Sequence, residues 1–315
     1  VGQDFASAIN NSGNVVAWGS GDPNNDWNNN EGQIDVPEEL TDVIAISSGV
    51  SHTLALTNSG DVVAWGGNGH LQSDVPEGLE NVVAISARGS HSLALTASGD
   101  VVAWGYDQFG IQDIPEELDN VNVVSIVAGN DHSMVLTASG DVIAWGRNQS
   151  GQLDIPEEIP DIEVIATGEY HNLAITTNGN VVAWGLNYDG QTDVPTVPGI
   201  NNVIAIAGGY THSLALTASG NVIAWGSNDD GQIDVPEGLT DVVAIKGGWR
   251  SSFALTASGN LISWGSDYGG TLETDIPEGL EVLVYCDNDG NVLDCFGVCE
   301  GDAVVDDCGV CGGDN

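Results

Sequence analysis

Residues 221–245 read NVIAWGSNDDGQIDVPEGLTDVVAI, and most of the chain is a variation on them. The fixed point is a Trp-Gly pair at the end of an apolar run. It falls at Trp18, Trp65, Trp104, Trp145, Trp184, Trp225 and Trp264, at intervals of 47, 39, 41, 39, 41 and 39 residues. A period near 40 residues with Val/Ile-rich content predicts a β-propeller with one repeat per blade. Seven Trp-Gly pairs predict seven blades.

Each repeat has the same internal order. In one of them the expected strands are a (Val203–Ile206), b (His212–Leu216), c (Asn221–Trp225) and a short d (Ile233–Val235). Val, Ile and Trp favour strands, and Gly220 suits a tight b–c hairpin turn. Leu214 and Leu216 face one way and Ser213 and Ala215 the other, with no charge on either side. Strands of that kind are buried on both faces, as stacked blades require. Pro236 ends the pairing at the outer edge. The expectation is an all-β, seven-bladed propeller of four-stranded blades over residues 1–285, followed by a short disulfide-rich tail at 286–315. The chain opens inside a repeat at Gly2–Ile9, and the missing first strand recurs at Glu281–Tyr285. Joining the two closes blade 1 from both termini and leaves no open edge.

The pattern Ala-Trp-Gly-x-Asn-x-x-Gly-Gln-x-Asp-Val-Pro, followed by Val-x-Ala-Ile-x-x-Gly-x-x-His-Ser-Leu-Ala-Leu, resembles the regulator-of-chromosome-condensation repeat. It is most similar to the short-repeat secreted bacterial members, the propeller-type β-lactamase inhibitory proteins. The resemblance spans residues 1–285. Phe5 and Ser251 depart from it at the repeat His, and Arg88 replaces a turn Gly. It implies a propeller fold. It carries over neither the nucleotide-exchange activity of the chromatin member nor β-lactamase inhibition, because fold alone does not transfer function.

Composition narrows the partners. Forty-six acidic residues stand against four basic ones, a net charge of −42. Nucleic-acid binding needs clustered Lys and Arg, so neither nucleic acid nor an anionic membrane is expected as a partner. No apolar run has the length of a membrane span, and no signal peptide is visible. The chain starts at Val1, so a mature or excised piece is expected. The repeat histidines His52, His91, His132, His171 and His212 occupy one repeat position and are read as hydrogen-bonded strand starts. With no catalytic constellation or phosphate-cradling loop in sight, an enzyme is not expected, and no cofactor is required.

Antiparallel strands put the a–b and c–d turns on one face and the b–c and d–a turns on the other. Of the chain's 19 aromatics, seven are the repeat Trp. Eight of the others fall in a–b or c–d turns: Trp27, Tyr106, Phe109, Tyr170, Tyr188, Tyr210, Trp249 and Tyr268. All four basic residues, Arg88, Arg147, Lys246 and Arg250, fall there too. Tyr, Trp and Arg are the residue types of binding hot spots. The expected partner site is these eight aromatics together with Arg250. Neighbouring blades 5, 6, 7 and 1 should set most of them in one arc, with Tyr106 and Phe109 of blade 3 across the ring. The expected partner is a protein, with a neutral glycan stacked on the same aromatics, or a passive spacer role, as alternatives.

All five Cys lie in the tail, which reads as a disulfide module of an oxidising compartment. An extracellular or cell-surface location follows, as a monomeric propeller within a longer surface protein. The tail also resembles linker repeats of large bacterial surface proteins. Asp287-Asn288-Asp289-Gly290 resembles the start of a calcium loop, so Asp287, Asp289 and Asp294 are candidate calcium ligands.

Overall fold

Seven antiparallel sheets form among the described residues of the computed structural model, which are 1–19, 31–157, 159, 161–266 and 276–282. Blade 1 holds β1 (Phe5–Ile9) and β2 (Val15–Gly19); blade 2 holds β3 (Val43–Ser48), β4 (His52–Thr57) and β5 (Val62–Gly66). Blade 3 holds β6 (Val82–Arg88), β7 (His91–Thr96) and β8 (Val101–Gly105), and blade 4 β9 (Val123–Ala128), β10 (His132–Thr137) and β11 (Val142–Gly146). Blade 5 holds β12 (Ile162–Thr167), β13 (His171–Thr176) and β14 (Val181–Gly185). Blade 6 holds β15 (Val203–Gly208), β16 (His212–Thr217) and β17 (Val222–Gly226); blade 7 holds β18 (Val242–Gly247), β19 (Ser251–Thr256) and β20 (Leu261–Gly265). In blades 2–7 the b strand is central, and the a strands of successive blades touch one another around the axis.

The side-chain alternation is resolved as blade stacking. Leu214 and Leu216 of β16 pack with Val242, Ile245 and Trp264 of blade 7. Ala215, on the other side of the same strand, packs with Leu173 and Ile175 of blade 5. The b strands are thus buried on both sides, with Leu214, Ala215 and Leu216 all at 0% exposure. Burial of each such Leu contributes about 2 kcal/mol before entropy is counted.

The Trp-Gly pair has a double cause. Each repeat Trp is buried, and Trp65, Trp104, Trp184, Trp225 and Trp264 donate their indole N–H to the carbonyl of a Gln in the c–d loop of the preceding blade. Trp145 does the same to Ile111, which replaces that Gln. The following Gly turns the chain at positive φ; at Gly146 φ is 103°, and an added Cβ would lie 2.7 Å from the Asp131 carbonyl oxygen. Only Gly tolerates both demands.

Blades of four strands are expected from the sequence, and the sheets have three. In the Ile233–Val235 segment, Asp234 N–H donates to Gly231 O and Val235 N–H to Ile233 O. These local turn bonds consume the donors that a ladder would need, and Pro236 has none. The segment and the loop after it cover the blade with the side chains of Val235 and Leu239 instead. Blade 1 is a two-stranded sheet with the C-terminal segment laid against it. Val282 bridges Asn10 antiparallel, and Asn11 N–H donates to Glu281 O. Val282 N–H donates to Gly259 O of blade 7, as Val82 N–H of blade 3 donates to Gly60 O of blade 2. Ile276, Leu280 and Val282 pack on Ala6, Ala8, Trp18 and Phe253, joining blade 7 to blade 1. Residues 283–285 and the tail lie outside the described residues. No helix among the described residues is long and apolar enough to cross a membrane.

Candidate functional site

The a–b and c–d loops are tied together at their roots. After the Trp-Gly pairs of blades 2–7, the next N–H donates to the a–b turn of the same blade, as Arg147 to Asp131 O, Leu186 to Tyr170 O and Ser227 to Thr211 O. Both loop types therefore share one face, as the strand order requires. Around the axis the a–b turns are linked blade to blade by backbone bonds, Val50 to Gly89, Asn130 to Glu169, Glu169 to Gly209 and Tyr210 to Gly248.

Beneath this collar each repeat histidine joins two blades. His52, His91, His171 and His212 bond through Nε2 to Ser92, Ser133, Ser213 and Ser252 of the next blade, at 2.9–3.1 Å, and His132 to Asn172 at 2.7 Å. Ser92, Ser213 and Ser252 spend their single O–H on a Gln carbonyl, so each must accept from the histidine. Asn172 gives its N–H to Gln152 O, which leaves Oδ1 as the acceptor. In His52, His132, His171 and His212 the protonated nitrogen is therefore Nε2. Burial drives their pKa values down, to about 4 for His52 and His132 and about 3 for His91, His171 and His212. Among them His132, His171 and His212 also feel the Arg88 charge. These residues tie each blade to the next through buried side-chain bonds.

The expected site residues fall into groups. Arg147 lies over the Phe109 ring at 5.2 Å and the Tyr170 ring at 5.4 Å, and pairs with Asp131 at 2.8 Å. Asn130 donates to the Tyr170 hydroxyl at 3.0 Å. Blades 3, 4 and 5 thereby contribute one cluster. Burial, with Glu169 nearby, raises the Tyr170 pKa, so its hydroxyl stays protonated. A second cluster joins Tyr210 and Trp249, packed edge to face at 5.6 Å, with Arg250 over the Trp249 ring at 5.2 Å and paired with Asp230 at 3.3 Å. Tyr106 packs on His70 at 4.7 Å. Tyr188 stands apart at 90% exposure. Trp27, Tyr268, Asp287, Asp289 and Asp294 lie outside the described residues. Among the described residues no group of three His, Cys, Asp or Glu is placed to hold a metal ion.

Three participants go beyond the expected set. Arg147 organises the first cluster. Arg88 and Glu169 sit at the axis, where a cavity of about 200 Å³ opens, walled also by Val50, Tyr210 and Trp249. Arg88 leaves blade 3 and donates through Nη1 to Thr167 O of blade 5 at 3.2 Å and Gly208 O of blade 6 at 3.0 Å. Burial lowers its pKa, and Glu169 partly offsets that. Burial raises the Glu169 pKa against the opposing pull of Arg88. The signal in the sequence is the lone Arg among turn glycines; its destination across the ring is not encoded locally.

These features define a β-propeller built from short repeats with a differentiated loop face. Five stretches, 43–72, 82–111, 123–152, 162–191 and 203–232, match the Regulator of chromosome condensation (RCC1) repeat. Each begins with an a strand and ends on the residue whose carbonyl receives the next blade's Trp. The chain belongs to the RCC1 repeat family. Among solved structures it is similar to yeast RCC1 (Prp20) bound to Kap60, with 25% identity and a TM-score of 0.65 over 78% of this chain and 75% of that one. It is similar to Prp20p from Saccharomyces cerevisiae, described with binding properties to Gsp1p and histones, at 23% identity and a TM-score of 0.66, covering 84% and 81%. The ectodomain of the Physcomitrella patens receptor kinase CR4 is 22% identical with a TM-score of 0.66, covering 84% and 71%. The last two show likeness of fold. No curated protein matches the sequence.

Proposed function

We propose that this propeller is a secreted or cell-surface binding module that holds a protein partner on its loop face. The observation that carries the reading is the clustering of aromatic and Arg side chains from several blades on one face, around a cavity at the axis. Large half-buried aromatics beside arginines have the make-up of binding hot spots, and a rigid scaffold holds them in place. Protein binding is also the theme of the yeast structures, one in complex with Kap60 and one described with Gsp1p and histones. The secreted or surface setting rests on the Cys-rich tail and the acidic composition. Within the same reading, Glu281–Tyr285 completes blade 1 as its inner strand, the short d segments count as degenerate fourth strands, and Asp287, Asp289 and Asp294 hold calcium in the tail.

The test is capture of partners from surface extract of the source organism, run beside a glycan array, with the double variant Trp249→Ala/Tyr210→Ala as the control. A protein partner bound through this face is lost in the double variant, weakens as salt rises and resists competition by free sugars. Capture that survives the double variant overturns the face assignment. Binding competed by simple sugars moves the reading to a lectin. Alkylation followed by mass spectrometry should find the tail cysteines oxidised; free thiols in native material refute the compartment.

A further inference from the structure

We propose that the axial cavity is a binding site for a small zwitterion, a free α-amino acid with an apolar or aromatic side chain, its carboxylate on Arg88 and its ammonium on Glu169. The proposal rests on the loop face being the binding face, and gives the axis of that face a ligand of its own.

The cavity wall holds one positive and one negative side chain. These two form no ion pair with each other, whereas Arg147 pairs with Asp131 and Arg250 with Asp230. Arg88 spends Nη1 on two carbonyls, while Nε and Nη2 make no hydrogen bond to a described residue, and neither does the Glu169 carboxylate. Both groups are half-buried and line the cavity, so the hydrogen-bonding capacity they have not spent is available to a ligand. A simple anion placed on Arg88 would meet the Glu169 charge, and a simple cation on Glu169 would meet Arg88. A molecule carrying both charges satisfies both groups at once. A cavity of about 200 Å³ has room for an amino acid. The edge-to-face pair Tyr210–Trp249 forms the apolar wall against which a hydrocarbon or aromatic side chain would lie.

The groups are also held ready. The guanidinium is fixed by carbonyls of two different blades. The Glu169 backbone is fixed by its N–H on Gly209 and its carbonyl under Asn130. A site that is rigid before binding loses little on ordering its ligand.

The experiment is isothermal titration of the full chain with L-phenylalanine and L-leucine, and with N-acetyl-L-phenylalanine and L-phenylalaninamide, which each keep one charge. The expected result is saturable binding of at least one zwitterion, with the two single-charge derivatives weaker by about tenfold or more, the scale of one lost charged contact. Glu169→Gln should weaken the zwitterion and raise the N-acetyl derivative to equal or better binding. Trp249→Ala should weaken all ligands together. Arg88→Gln should weaken the zwitterion and the N-acetyl derivative; thermal melting of each variant verifies folding, and if Arg88→Gln does not fold, Arg88→Lys, which keeps the charge and loses the fork, should weaken the same two ligands. Absence of saturable binding by both zwitterions overturns the proposal, as does equal binding of the derivatives or an unchanged ranking in Glu169→Gln. Partner capture by the rim aromatics is read separately, so a failure here with capture still lost in Trp249→Ala/Tyr210→Ala removes only the axial ligand.

Discussion

The two faces of the ring are made of the same strands and differ in where their side-chain bonds go. On the face of the b–c turns the serine bonds stay within each turn. Ser59, Ser98 and Ser139 donate to Asp61, Asp100 and Asp141 two residues on, at 2.7, 2.6 and 2.7 Å. On the loop face several leave the blade: Arg147 reaches Tyr170, Asn130 reaches the Tyr170 hydroxyl, and Arg88 crosses to blades 5 and 6. A turn that satisfies itself can be copied around a ring without change. A turn completed by its neighbours must differ from one blade to the next, and such differences are the raw material of recognition.

Acid should break the comparison most severely, because every histidine seal lies at the loop-face end of a seam. The folded pKa values, about 3 to 4, lie below the ordinary value of 6.5, so the unfolded chain binds more protons between them. The stabilisation is complete above pH 6.5 and is lost as pH falls toward the folded values. Each histidine should cost about 1.4 kcal/mol per pH unit in that window. The raised pKa values of Glu169 and Asp4 act in the opposite direction, two groups against five. Melting followed from pH 7 to pH 5 should fall steeply, and His132→Phe, which copies the Phe5 of blade 1, should flatten the slope.

Arg88→Gly restores the residue that the other turns carry, and it should destabilise the ring. It leaves the Thr167 and Gly208 carbonyls without their donor, at a cost of about 2–4 kcal/mol. Chemical denaturation measures this; an unchanged midpoint would mean that the cross-axis bonds contribute nothing.

Trp249→Ala and Tyr210→Ala should each remove about 2 kcal/mol of partner binding with little change in melting. Leu239→Ala, in a d–a loop of the other face, should do the reverse. Its side chain packs on the blade 6–7 core, so about 1–2 kcal/mol of stability should go while binding persists. The smallest effect is expected from Ser59→Ala, an exposed turn bond, within about 0.5 kcal/mol on melting.

The repeat makes the propeller legible, because a Trp-Gly pair every 40 residues or so repeats one local solution seven times. The outermost segment is not legible in the same way. Ile-Asp-Val has the composition of a strand, and the turn bonds that consume its donors are invisible to composition. The face assignment follows from strand alternation alone. The bridging on that face does not: the sequence sets Phe109 across the ring, and Arg147 joins it to Tyr170. Which side chain bridges two loops depends on distances between turns far apart in sequence. The histidine's partner is closer to view: it is the residue just after His in the next repeat, Ser in most blades and Asn at 172.

The histidine seals also give the ring an order of opening. Seals join blade 2 to 3, 3 to 4, 4 to 5, 5 to 6 and 6 to 7. Blade 1 has Phe5 and blade 7 has Ser251 at that position, so neither seam of blade 1 carries one. Blade 1 is also where the first strand and the C-terminal segment meet, through Asn10 and Val282. Tension applied through the two ends therefore falls on the clasp before it reaches the necklace. The six sealed blades would survive as an open arc, and amide exchange at Ala6 and Ala8 would outpace that at Leu173 and Leu214.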